Sequence, residues 1–341
     1  NFLFPFVSSD FKRKIRATTE FGLQYNYQMR PEFLRTMASA SWSYKWTQRQ
    51  KIQHRIDLIN IAFLYLPRIS ERFKEDYINK GQNHIFQYNY QDRLIINMGY
   101  SYNYNSVGGS IINNTIASNS YSIRFNFESA GNVMYALSKA ANIRKNSNGE
   151  YAILGIPYAQ YLKGEFDFAK NIRIDYRNSF AFHAGVGIAV PYGNAKTIPF
   201  EKQYFSGGAN SVRDLGPGSF AGNGNLLDQS GDIKLDASIE YRSKLFWKFQ
   251  GAVFIDAGNI WTIRSYANQP GGVFKFDRFY KQIAVAYGLG LRLDLDFFIL
   301  RFDGGMKAVN PAYETKKEHF PIIHPKFSRD FAFHFAVGYP F

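Results

Sequence analysis

The sequence predicts an all-β fold, an antiparallel transmembrane β-barrel, and three observations carry that expectation. The chain ends on a strict alternation. Phe331, Phe333, Phe335, Val337, Tyr339 and Phe341 share one parity, and Asp330, Ala332, His334, Ala336 and Gly338 share the other. A period of two sends the sets to opposite faces of a strand. One face is large and apolar, as a wall between lipid and a polar lumen requires. Second, 18% of the residues are aromatic while mean hydropathy is only −0.31, because inward and outward residues of such a wall cancel in the average. No run approaches the roughly 20 apolar residues of a membrane helix. Third, the alternation recurs about twelve times along the chain.

The strands are expected near 12–29, 33–48, 51–66, 92–104, 117–129, 157–169, 172–190, 232–245, 247–262, 282–296, 298–307 and 329–341. In the first, Phe21, Leu23, Tyr25, Tyr27 and Met29 oppose Glu20, Gln24, Asn26 and Gln28. In the second, Trp42, Tyr44 and Trp46 oppose Ser41, Ser43 and Lys45. Ile174, Phe180, Phe182 and Ile188 oppose Asp175, Arg177, Ser179 and His183; Leu235, Ile239 and Tyr241 oppose Asp236, Glu240 and Arg242; Val285, Leu289 and Leu293 oppose Gly288, Gly290 and Arg292. Segments of about 10–18 residues exceed ordinary soluble strands and suffice to cross a bilayer at a tilt.

Two segments break the period. Pro67–Asn79 reads as a short helix opening at a proline, and Asn132–Ile143 carries apolar residues three and four apart; both read as loop helices. The stretch 191–231 has no alternation and is rich in Gly, Asn and Ser. A loop that long in a compact fold is functional more often than connective, and it either hangs outside or enters the lumen.

Net charge is +14. The basic residues are dispersed, not gathered on one helix, which argues against nucleic acid and for rims that meet anionic lipid. The chain has no Cys. Its His residues show no metal-ligand spacing, and neither a nucleophile elbow nor a phosphate loop is present. The expectation is therefore no catalytic residue, no metal, no cofactor and no enzyme activity. The chain starts at Asn1 without a charged-then-apolar leader, so a piece of a longer protein is expected.

Parity places Phe254, Asp256 and Gly258 on the inner face of one strand, and Glu240 and Arg242 on that of the strand before it. A guanidinium entering there could fork onto carboxylates as a lysine cannot. Arg213 is the candidate, on a loop whose Gly207 and Gly208 permit tight backbone turns; the alternative is a solvated arginine at a loop tip.

The segment Gln203-Tyr204-Phe205-Ser206-Gly207-Gly208-Ala209-Asn210-Ser211-Val212-Arg213-Asp214-Leu215-Gly216-Pro217-Gly218-Ser219-Phe220 resembles the sixth-loop motif of the BamA/TamA superfamily of outer-membrane insertases. Glu240-Tyr241-Arg242, then Phe254-Ile255-Asp256-Ala257-Gly258-Asn259-Ile260-Trp261, then Gly288-Leu289-Gly290-Leu291-Arg292 with Arg301-Phe302-Asp303, follow in family order. Tyr339 and Phe341 resemble the family's C-terminal assembly signal. The departure after Arg213, where Asp214-Leu215 precede Gly216, is similar to a TamA-like lipoprotein branch and leaves Phe220 in the place of the motif's aromatic.

The resemblance implies a bacterial outer-membrane location and a loop locked to the wall by Arg213. It implies the whole of 1–341 as barrel domain, in which residues 1–190 match by strand pattern and residues 191–341 bear the motifs. Family barrels have sixteen strands behind periplasmic POTRA domains, so the first strands and the POTRA domains would lie outside this chain. Implied partners are outer-membrane lipid, unfolded outer-membrane client proteins, the POTRA region and an inner-membrane-anchored or periplasmic partner. Implied activity is insertion or translocation through a lateral seam; the alternative is a passive channel or transporter.

Overall fold

In a computed structural model the described residues are 10, 16–31, 33–75, 91–107, 119–213, 230–265, 271–313 and 315–340. The strands are β1 Arg16–Met29, β2 Phe33–Gln48, β3 Ile52–Ile69, β4 Arg93–Asn105, β5 Ser120–Ala130, β6 Ala152–Ile153, β7 Ile156–Pro157, β8 Tyr161–Arg173, β9 Asn178–Pro191, β10 Ile233–Lys244, β11 Phe249–Trp261, β12 Ala284–Asp294, β13 Ile299–Val309 and β14 Phe331–Val337. All but β6 and β7 form one 12-stranded sheet, a meander ordered β1-β2-β3-β4-β5-β8-β9-β10-β11-β12-β13-β14. No helix among the described residues is long and apolar enough to cross a membrane.

The chain divides into two compact units. The first comprises residues 1–103, 125–164 and 189–203. Here the outward set of β1 is open, with Phe21, Leu23, Tyr25, Tyr27 and Met29 all exposed. The second comprises 104–124, 165–188 and 204–341. In β10 to β12 the alternation is sharp: Ile239, Val253, Ile255 and Leu289 are exposed, whereas Glu240, Arg242, Phe254, Asp256 and Arg292 are buried. The inner face of this wall is charged and the outer face apolar, the arrangement that lipid outside and a polar interior select.

Three expectations are corrected. The strand expected at 157–169 lies four residues later, and the strand expected at 172–190 begins at Asn178. Residues 174–177 form the turn instead, because Asp175 Oδ1 accepts from the Arg177 and Asn178 amides at 2.7 and 2.8 Å, an aspartate-nucleated turn. Pro67 does not open a helix. It lies within β3, where the β2–β3 register shifts between Leu34 and Thr36, and a bulge tolerates a residue without an amide donor. Helical residues there begin at Glu71, and the remainder of that segment, from 76 onward, lies outside the described residues. The second expected helix is present as Asn132–Ala140.

The third correction concerns the C-terminus. β14 covers only Phe331–Val337, after a short helix Phe327–Asp330. Gly338 takes φ +91°, a left-handed conformation that breaks the two-residue period. Tyr339 therefore leaves the outward parity of Phe333 and Phe335. Its hydroxyl donates to Gln250 Oε1 at 3.0 Å, and its ring lies 4.5 Å from the Arg242 guanidinium carbon. Phe341 lies outside the described residues.

Candidate functional site: a buried arginine–carboxylate cluster

The loop after β9 returns to the wall by backbone pairing. Tyr204 and Gly231 exchange two hydrogen bonds of 2.8 Å. Gly207 and Gly208 follow with φ +92° and +86°, a reversal closed to most side chains. The turn closes with the Ser211 amide donating to Gly208 O at 3.2 Å. Val212 and Arg213 come next, and both are fully buried.

Arg213 meets the wall as a fork. Nε donates to Asp256 Oδ2 at 2.7 Å and Nη2 to Asp256 Oδ1 at 2.9 Å. The Arg213 amide adds a third bond to the same carboxylate at 3.2 Å. Nη1 turns to Glu240 Oε2 at 2.7 Å and lies 3.5 Å from Asp303 Oδ2. The guanidinium carbon sits 3.5 Å from the centre of the Phe254 ring. Register explains the convergence: Glu240 pairs with Phe254 and Ser238 with Asp256 across β10–β11, so two carboxylates and a ring occupy adjacent inner positions.

The wall supplies three more arginines. Arg242 Nε donates to Glu240 Oε1 at 2.7 Å. Arg292 Nη2 lies 2.9 Å from Glu240 Oε2 and 3.3 Å from Asp303 Oδ1. Arg301 Nε lies 3.0 Å from Asp303 Oδ2. Arg301 Nη2 also donates to Ala209 O and, at 2.6 Å, to Asn210 Oδ1, so a second arginine grips the loop. All of these charged groups have side chains at most 1% exposed. Charges so dehydrated depend on one another's attraction, and the matching is incomplete: among the described residues, Arg292 Nε and Nη1 and Arg301 Nη1 are buried without a hydrogen-bond partner.

Close approach needs small residues on the wall. A Cβ on Gly258 would stand 2.6 Å from Leu235 O and 3.1 Å from Val212 Cγ2. A Cβ on Gly290 would stand 2.0 Å from Arg292 Nη1 and 2.2 Å from Asp303 Oδ1. The structure thus brings together Arg213, Asp256, Glu240, Gly207, Gly208, Phe254, Gly258 and Arg292. Phe220 lies outside the described residues. Sequence parity did not place Asp303 on the inner face with the cluster; β13 is the direct neighbour of β12, and Gly290 pairs with Asp303. It also missed Arg301, whose signal was its position in the hairpin after Arg292.

The first unit holds a second anchor of the same loop. Lys202 Nζ lies 2.8 Å from Glu128 Oε1, and Arg35 Nη1 2.6 Å from Glu201 Oε1. Glu128 also accepts from Asn97 and from the Tyr161 hydroxyl.

The model of the Omp85 superfamily domain matches residues 7–341. The outer membrane protein assembly factor BamA of Neisseria meningitidis serogroup B is 34% identical over 95 residues, which span 24% of this chain and 11% of that protein. The crystal structure of BamA from Haemophilus ducreyi lacking POTRA domains 1–3 superposes with a TM-score of 0.61 at 15% identity. That match covers 98% of this chain and 60% of that structure's chain, a likeness of fold. The chain therefore spans only a portion of the relatives it matches.

Proposed function

The chain belongs to the Omp85 superfamily and is an outer-membrane β-barrel protein, and from that premise we propose that it is the barrel portion of a machine that inserts or translocates proteins at the bacterial outer membrane. The observation that carries this reading is the Arg213 fork on Asp256 and Glu240. A passive pore gains nothing from a loop held by dehydrated charges, whereas a machine that opens its wall needs a brace that keeps the rest of the wall in shape. In this reading β14 is the working edge. Among the described residues it pairs with β13 alone, over Phe331–Val337, so its other edge is where a client strand would add by β-augmentation. A TamA-like lipoprotein branch, an N-terminal POTRA region, a periplasmic or inner-membrane-anchored partner and unfolded barrel clients belong to the same proposal. So does an assembly-signal role for Tyr339 and Phe341. No step makes or breaks a covalent bond.

The test uses the full-length protein in vesicles, with folding of an added barrel client as readout and ion conductance as the second. Arg213→Ala is expected to remove most client folding while the protein stays inserted. Undiminished client folding, with conductance changed instead, would replace this reading with that of a channel.

A further inference from the structure

The helix Asn132–Ala140 leaves apolar side chains exposed. Its inner side carries half-buried Met134 and Tyr135 beside buried Ser138, and polar bonds fasten it. Asn132 Oδ1 accepts from Gln160 Nε2 at 3.0 Å and from the Tyr192 hydroxyl at 2.7 Å. Ser138 is buried and its hydroxyl accepts from the Tyr158 hydroxyl at 3.1 Å. An outward stripe is apolar too: Val133 is 55% and Leu137 56% exposed, with Ala136 and Ala140 open on the same stripe. The hairpin β6–β7 adds Leu154, 96% exposed at its turn.

This display is fixed in place. Gly131 has φ +70°, and a Cβ there would stand 2.2 Å from Ala159 O, so the backbones are pressed together. Val133 stands three residues after the end of β5, within about 11 Å by chain reach. β5 leaves Phe125 and Phe127 exposed, so the exposed apolar stripe follows exposed wall aromatics closely along the chain. The segment 129–149 has no acidic residue, and its basic Lys139, Arg144 and Lys145 are exposed. Apolar residues flanked by cations match acyl chains under anionic head groups.

We propose that the helix Asn132–Ala140 and the Leu154 turn form a rim foot that rests in an anionic lipid surface and holds this region of the wall at a fixed depth. The proposal rests on membrane location and not on the insertase reading. Because the chain has no Cys, single cysteines can be placed at Val133, Leu137 and, as a polar control, Asn148. An environment-sensitive dye on each is followed in the full-length protein, reconstituted in phosphatidylcholine–phosphatidylglycerol vesicles.

Dyes at Val133 and Leu137 should emit blue-shifted and be quenched by nitroxide lipids about twofold or more beyond the Asn148 dye. Replacing Lys139, Arg144 and Lys145 by Gln should abolish the added quenching that phosphatidylglycerol brings. A Leu137 dye as wet as the Asn148 dye overturns the proposal. So does shielding seen only at high protein-to-lipid ratio, which means a second copy, or only in native membranes, which means another protein.

Discussion

The two anchors of the long loop differ in how they treat charge. At Glu201–Lys202 the ion pairs keep some contact with water: Lys202 and Glu128 side chains are 22% and 23% exposed. At Arg213 the partners are dry, at most 1% exposed, and shared among several ions. A pair that water still reaches loses less when broken than a dry one, so it fixes position with less energy. A dry cluster cannot be half made; losing one member strands the others without solvent. The first anchor is a guide and the second a lock.

The largest effect should come from removing the lock. Arg213→Ala is expected to destabilise the inserted protein by about 3–5 kcal/mol, measured by urea unfolding in detergent micelles. Arg213→Lys should recover little, because an ammonium keeps the charge and loses the fork. Asp256→Asn should cost a similar amount and the double variant much less than the sum. Additive losses would show that the two do not act as one unit.

The far foot of the same loop sharpens the comparison by pH. Asp232, just before β10, is buried, and that burial raises its pKa from the ordinary value to about 6, against the opposing amide of Ile263 and charge of Arg264. A carboxyl raised in the folded state binds more protons folded than unfolded between about pH 4 and 6, so stability falls as pH rises through that window. The loss is of the order of 2–3 kcal/mol, and above pH 6 it is complete. Asp232→Asn keeps an acceptor for the Ile263 amide, which donates to Oδ2 at 3.0 Å, and should flatten the fall. Parallel pH–stability curves for the two proteins would contradict this.

The guide should yield the smaller number. Lys202→Met leaves Glu128 with Asn97 and Tyr161 as donors. A loss of about 1 kcal/mol or less is expected, shrinking as salt rises. A loss as large as that of Arg213→Ala, insensitive to salt, would erase the distinction between guide and lock.

Much of this was legible in the sequence, and the rest was hidden for a definite reason. Alternation reports which face a residue occupies, so Glu240, Asp256 and Arg292 could be put on the inner face before any coordinates. Alternation does not report register. Asp303 reaches the cluster because Gly290 lies opposite it, and Lys202 finds Glu128 across 74 positions of sequence. Alternation also holds only while the backbone stays extended, and Gly338 ends it one residue before Tyr339.

Tyr339 supplies the finest test, because the two readings of its face predict opposite signs. An outward tyrosine at a lipid boundary loses nothing, or gains slightly, on conversion to phenylalanine. The structure gives its hydroxyl a partner in Gln250 and its ring a cation in Arg242. Tyr339→Phe removes only the hydrogen bond, for an expected loss of about 0.5–1.5 kcal/mol. Tyr339→Leu removes the ring face as well and should cost about a further 0.5–2 kcal/mol. Gln250→Ala provides the cycle: with an inward tyrosine, Tyr339→Phe should cost almost nothing once Gln250 is gone. A zero coupling energy, with Tyr339→Phe neutral alone, would return this residue to the lipid face and leave the inward turn at Gly338 without support.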